Sequence, residues 1–224
     1  MVSEIKHDHS RSNVYLEHND DLDTEGYEDL MEFRLVYQGP LKSASRNDPR
    51  ADHKHEIRKQ IHKQLAALWD LHPLLKGLRG PWGNRAGKPF VEHWSKSMFG
   101  FDFLPLVNER LDQVCSLDIL LLRRERPGGL ITQGGDIDNR VKTLFDALSV
   151  PKSASGLTQP EPTEKPFYCL MEEDKLCTEV KVTAERLLTP PEDNEPQGFV
   201  YAVIAVKIQV AMAFEWGGLT HKRH

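Results

Sequence analysis

Gly134-Gly135-Asp136-Ile137-Asp138-Asn139-Arg140-Val141-Lys142-Thr143-Leu144-Phe145-Asp146-Ala147-Leu148 is the stretch on which the fold turns. Val141, Leu144, Phe145 and Leu148 recur at helical spacing and predict a helix from about Asp138 to Leu148 with one apolar face. Asp138 falls at or near its N-cap, and Lys142 and Asp146 follow one and two turns later on the charged side. Asp136 and Asp138 stand two apart in what should be an extended segment, so a bend at the helix start turns both toward one site. An N-cap role, worth about 1 kcal/mol, would account for Asp138 alone. A Lys142–Asp146 ion pair, worth a few tenths of a kcal/mol, would account for those two. Neither accounts for Asp136, nor for the two glycines before it, which let backbone approach a bulky partner.

Upstream of this helix, Cys115 to Leu122 is a strongly apolar strand followed by Arg123, Arg124 and Arg126. Nearer the N-terminus, Glu32 to Tyr37 reads as a first strand ended by Gly39-Pro40. A loop then leads to a helix from about Asp52 to Leu71 with the stripe Ile57, Ile61, Leu65 and Leu68. Gly77 to Gly87, rich in glycine and with Pro81, reads as a loop. Downstream, the proline-rich residues 149–166 form a long loop. Leu176 to Leu188 alternates as a half-buried strand with Leu176, Thr178, Val180, Val182 and Ala184 on one face. Phe199 to Phe214 is a long, largely buried strand paired with it as a hairpin. The class is α+β: a single domain with a mixed β-sheet and two main helices.

The 224 residues carry a formal net charge of −5, which on its face disfavours a nucleic-acid partner. The charge is unevenly placed. Residues 1–30 hold nine acids and two bases, too polar to fold alone, and are expected to be a disordered acidic tail. Residues 31–100 hold thirteen bases and six acids. Within that block Lys54, Arg58, Lys59 and Lys63, with His55 and His62, form a cationic helix face. Arg79, Arg85 and Lys88 flank Trp82 in the glycine-rich loop. Both groups suit phosphate tracking, with base stacking on the tryptophan. Ordinary solvation of the helix face, and closure of Trp82 over a core edge, remain open alternatives.

Three widely spaced cysteines make neither a disulfide framework nor a zinc site, which fits a reducing, cytoplasmic setting. No leader-like apolar segment opens the chain, and the longest apolar run is too short for a membrane span. His53 and His55 have no partnering cysteine and read as helix-face residues. A second acidic group, Glu172-Glu173-Asp174, precedes the Leu176 strand. If the sheet carries it to Asp136 and Asp138, the crowded carboxylates require a cation. Hard oxygen donors without His or Cys favour Mg²⁺ or Mn²⁺, ions that activate water and stabilise a leaving oxygen at a phosphodiester.

The composite of Asp136-Ile-Asp138-Asn139, Lys142 four residues on, Asp146-Ala147-Leu148, and then Glu172-Glu173-Asp174-Lys175-Leu176 resembles the signature of the RusA family of Holliday junction resolvases. The resemblance extends in element order from about Glu32 to Phe214, and the signature itself covers about 45 residues. It implies a RusA-like domain over residues 31–216, enlarged by insertions at about 77–112 and 149–171 and followed by a tail at 217–224. It also implies a homodimer that cuts branched DNA with Mg²⁺ in recombination or repair. By position it assigns Asp136, Asp138, Glu173 and Asp174 to the metal and makes Asp136, Asp138, Lys142 and Asp174 catalytic. Lys142 would hold the scissile phosphate. The first acid of the family's usual Asp pair is a glutamate here, Glu173. Two other readings stay open: a related metal-dependent nuclease with another nucleic-acid substrate, and a non-catalytic nucleic-acid-binding module in which the carboxylates only cap a helix.

Overall fold

Phe33, Leu35 and Tyr37 stand in register with Val206, Ile204 and Ala202, which stand in register with Leu117, Ile119 and Leu121. These apolar rungs build the inner face of the sheet that organises the domain. The computed structural model describes residues 27–43, 50–79, 90–124 and 137–211. In chain order they form β1 (Tyr27–Pro40), α1 (Ala51–Leu71), α2 (Pro73–Arg79), β2 (Lys96–Met98), β3 (Phe101–Val107) and β4 (Gln113–Arg123). There follow α3 (Ile137–Leu148), β5 (Phe167–Met171), β6 (Cys177–Arg186) and β7 (Phe199–Ala211). Among the described residues no helix is long and apolar enough to cross a membrane.

The domain is α+β, with two mixed sheets. One runs β1-β7-β4-β6, with β7 antiparallel to both neighbours and β6 parallel to β4. The other runs β2-β3-β5, with β5 parallel to β3. Helix α1 lays Ile57, Ile61, Leu65 and Trp69 into the main core, and α3 adds Leu144, Ala147 and Leu148. Each large side chain so buried contributes about 1.5–3 kcal/mol. Gln64 of α1 also reaches the open edge of β1. It accepts from Val36 N–H at 2.8 Å and donates to Val36 C=O at 2.6 Å, so a side-chain amide takes the place of a strand partner.

Several sequence expectations change. The last two strands are not a hairpin: β4 lies between β6 and β7, because β7 is apolar on its inner face and flanked on both sides, as a central strand requires. β6 is an edge strand, which leaves Val180 42% exposed instead of half-buried. β1 begins at Tyr27, so the last residues assigned to the acidic tail pair with β7. Residues 1–26 lie outside the described residues, as do 212–224, which include Phe214 and the 217–224 tail. Of the glycine-rich stretch, Gly77 to Arg79 belongs to α2, while Arg85 and Lys88 lie outside the described residues.

The two segments read as insertions are joined to each other. The first supplies β2 and β3 and the second supplies β5, and together they make the second sheet. Residues 149–166 lead into β5 as a strap along α1. Val150 N–H donates to Met171 C=O at 3.1 Å, and Thr158 lies 3.4 Å from His55. His62 accepts from Tyr168 N–H through Nδ1 at 2.9 Å and faces Thr163 C=O through Nε2 at 3.2 Å, which assigns the proton to Nε2. His62 stacks on Phe167 with ring centroids 4.5 Å apart, and Phe101 and Phe103 close the same cluster. His55 and His62 are therefore buried, not solvated, because a second layer covers the flank of α1 that the sequence pattern assigns to water.

Burial pushes the pKa of both imidazoles down, more than the neighbouring carbonyl and Glu164 push that of His62 up. A base whose folded pKa is depressed takes up its proton on unfolding. Its contribution is complete above the free-histidine value of about 6.5 and is lost as the pH falls through it. Urea midpoints are expected to be flat from pH 8 to 7 and then to drop, by at most about 1.4 kcal/mol per pH unit for each ring. His62→Gln can reproduce both hydrogen bonds without titrating and should flatten that slope; an unchanged slope would assign the pH dependence to other groups.

Candidate active site

Helix α3 places the signature. Its apolar residues Leu144, Ala147 and Leu148 are buried, which turns Lys142 to the surface one turn after Asp138. Asp138 is the second residue of α3; its side chain and all of Asp136 lie outside the described residues. Asp146, eight residues on, stands about 12 Å further along the helix axis. Its carboxylate binds Lys54 of α1 at 2.7 Å, so the expected Lys142–Asp146 pair gives way to a bridge between helices.

β5 ends against the C-terminal turn of α3, where Ser149 forms a parallel bridge with Met171. The acidic run after β5 then divides by role. Glu172 is structural: it pairs with Lys96 and accepts from Glu109 N–H at 3.2 Å, tying β2 and the start of the turn before β4 to the end of β5. Glu173 pairs with Lys175 at 3.6 Å. Asp174 opens a 3-10 turn and accepts from Lys152 at 3.1 Å. That ammonium holds the Asp174 carboxyl below the usual carboxylate range, against a smaller opposing effect of burial.

Asp174 and Asp146 line one cavity of about 210 Å³ together with Lys54, Arg58 and Lys152. The structure thus brings Asp174 together with the last turn of α3, whereas Asp138 stands in the first. Glu173 and Asp174 are hard carboxylate donors at the surface, as Mg²⁺ prefers. Among the described residues no group of three or more His, Cys, Asp or Glu side chains is close enough to hold a metal ion. The rest of the proposed ligand set, Asp136 and the Asp138 side chain, lies outside those residues.

The cationic helix face is largely committed internally. Arg58 is 4% exposed and donates through Nε to Ser149 C=O at 3.1 Å and through Nη2 to Asp146 C=O at 2.6 Å, so it caps the end of α3 from within the fold and is not part of a solvated helix face. Lys54 bridges to Asp146, and Lys59 lies 3.7 Å from Glu56. Arg79 binds Asp70, Trp69 C=O and the Tyr168 hydroxyl, fastening α2 to α1 and β5. Lys63 is exposed and makes no ion pair among the described residues. What the sequence pattern missed is the cavity itself. Its signals, Lys152 and the serines after it, lie in a proline-flanked stretch with no periodicity. Comparison with known protein families, with curated proteins and with solved structures finds no match.

Proposed function

We propose that the protein is a Mg²⁺-dependent endonuclease acting on branched DNA, a homodimer of the kind the resemblance to RusA-like resolvases implies. The observation that carries this reading is the composite signature. Its first half enters α3 with Asp138 in the first turn and Lys142 exposed one turn later, and its second half carries Asp174, held ionised beside a cation-lined cavity. The residues that would hold the ion are Asp136, Asp138, Glu173 and Asp174. Once bound, Mg²⁺ or Mn²⁺ supplies Lewis acidity to a phosphate oxygen and a water of lowered pKa.

The chain's own residues do the rest. Lys142, extended into solvent from α3, would lie against the scissile phosphate and offset the charge that grows on its oxygens. The paired carboxylates would orient the attacking water, and Asn139, exposed beside Asp138, is a further donor to a strand oxygen. A panel of four-way junction, flap, linear duplex and RNA, each incubated with Mg²⁺, with Mn²⁺ and with EDTA, tests the assignment. The expected outcome is cleavage that needs the metal and favours the junction. Preference for flap or RNA would move the protein to the related-nuclease reading. No metal-dependent cleavage of any substrate would overturn catalysis altogether.

A further inference from the structure

The cavity beside Asp174 holds one cation more than its carboxylates neutralise. Lys54 is bound to Asp146 at 2.7 Å and Lys152 to Asp174 at 3.1 Å, which leaves Arg58. Its partners are the carbonyls of Asp146 and Ser149, and Nη1 makes no hydrogen bond among the described residues. A guanidinium that is 4% exposed and faces carbonyl dipoles without a carboxylate contact carries a large desolvation cost, one that an arriving anion relieves. The same cavity reaches Ala51, the first residue of α1. Arg50 holds the N-cap of that helix in a left-handed conformation (φ 54°, ψ 40°), and its side chain does not cap the first turn. The positive end of a 21-residue helix, whose N-cap residue gives no side-chain cap, therefore borders the space that Arg58 faces. Ser153 and Ser155 line it as well and add hydroxyl donors, whereas the Ser149 hydroxyl already donates to Phe145 C=O at 3.1 Å.

We propose that this cavity binds a phosphate group. Donors converge from α1, from the end of α3 and from the strap, which suits a tetrahedral anion with oxygens on several sides better than a planar carboxylate. A divalent cation inside the cavity is disfavoured, since Lys54, Arg58 and Lys152 outnumber Asp146 and Asp174 there; Asp174, at its rim, would join the proposed metal set only by turning its carboxylate away from Lys152. With about 30 Å³ per water in the liquid, the space admits a phosphate group with a few waters. The assignment deepens the nuclease reading, for which the group would be a phosphate of the bound strand. Its test, however, uses neither metal nor cleavage, so either can fail alone.

Binding is measured on the full chain in EDTA by calorimetry and thermal shift, with inorganic phosphate as the probe and potassium chloride balancing the ionic strength. Phosphate is expected to bind saturably and raise Tm. Lys152→Glu, at an exposed position, should weaken it by about tenfold or more while lowering the ligand-free Tm only by the small amount that loss of an exposed ion pair costs. Lys76→Glu, on the exposed face of α2, should leave it unchanged. Arg58→Lys keeps the charge but loses the fork, and should weaken phosphate if it folds. Short oligonucleotides with a 5′-phosphate or a 5′-hydroxyl identify the source. Tighter binding of the phosphorylated one assigns a terminal phosphate, and equal binding of both in competition with phosphate assigns a backbone phosphodiester. No saturable binding, or equal weakening by Lys76→Glu and Lys152→Glu, would overturn the site.

Discussion

Gly156→Ala is expected to destabilise the native state by about 3 kcal/mol, which for a domain of this size lowers Tm by roughly 10 °C. Two effects add. Gly156 has φ +72°, a left-handed conformation that costs a non-glycine residue about 1 kcal/mol or more. A Cβ there would also stand 2.3 Å from the Ala51 carbonyl carbon and 2.4 Å from the Asp52 nitrogen. Both are backbone atoms of the first turn of α1, so no side chain can swing away, and the strap must lift off the helix. Gly100→Ala separates the two effects: its φ is +81°, but its Cβ would meet nothing within 4 Å, so only the smaller conformational cost of about 1 kcal/mol is expected. Urea denaturation of both variants checks this. Equal losses would mean that the strap does not press on α1. Because the strap forms one wall of the phosphate cavity, Gly156→Ala should also open it, linking the stability of this segment to the site.

The elements legible in the sequence are those whose burial is one-sided or complete over a long run. α1 and α3 follow from their apolar stripes, β4 and β7 from continuous apolar runs, and β1 from alternation up to Gly39-Pro40. The second sheet was hidden for local reasons. β3 contains Pro105, which argues against a strand, yet β2 pairs with β3 only through residues 101–103, so Pro105 withholds no bond from that side. β5 is five residues long and buried on both faces, a run with no period to read. The misplacement of β7 has the same origin: a central strand and the inner strand of a hairpin share one pattern, and only pairing tells them apart.

The candidate site is legible as a signature and not as a geometry. Spacing placed Asp138 at a helix start and Lys142 on its exposed side. The polar residues of α1 read as an exposed cationic face because amphipathicity records the difference between faces, not what covers the polar one. Arg58, His55 and His62 lie under a strap contributed from some hundred residues downstream, as the His62–Tyr168 and Thr158–His55 contacts record. Likewise Asp146, which local spacing pairs with Lys142, takes its partner Lys54 from another helix.

Asp138→Asn separates the central claim most directly from its plainest alternative, a purely structural role in the first turn of α3. Asp138 is the second residue of α3, where a carboxylate contributes about 0.3–1 kcal/mol through the helix dipole, so if that is its only role the substitution should cost no more stability than that and leave any activity unchanged. If Asp138 holds a divalent ion, losing one anionic oxygen removes a ligand while the side-chain shape is kept. The measurement is single-turnover cleavage of a four-way junction in Mg²⁺, with junction affinity in EDTA and Tm alongside. The expected result is a loss of cleavage of about 10³-fold, with affinity and Tm close to those of the unsubstituted protein. Cleavage within about tenfold of the unsubstituted protein, at unchanged Tm, would contradict the account, since a metal ligand cannot be so dispensable.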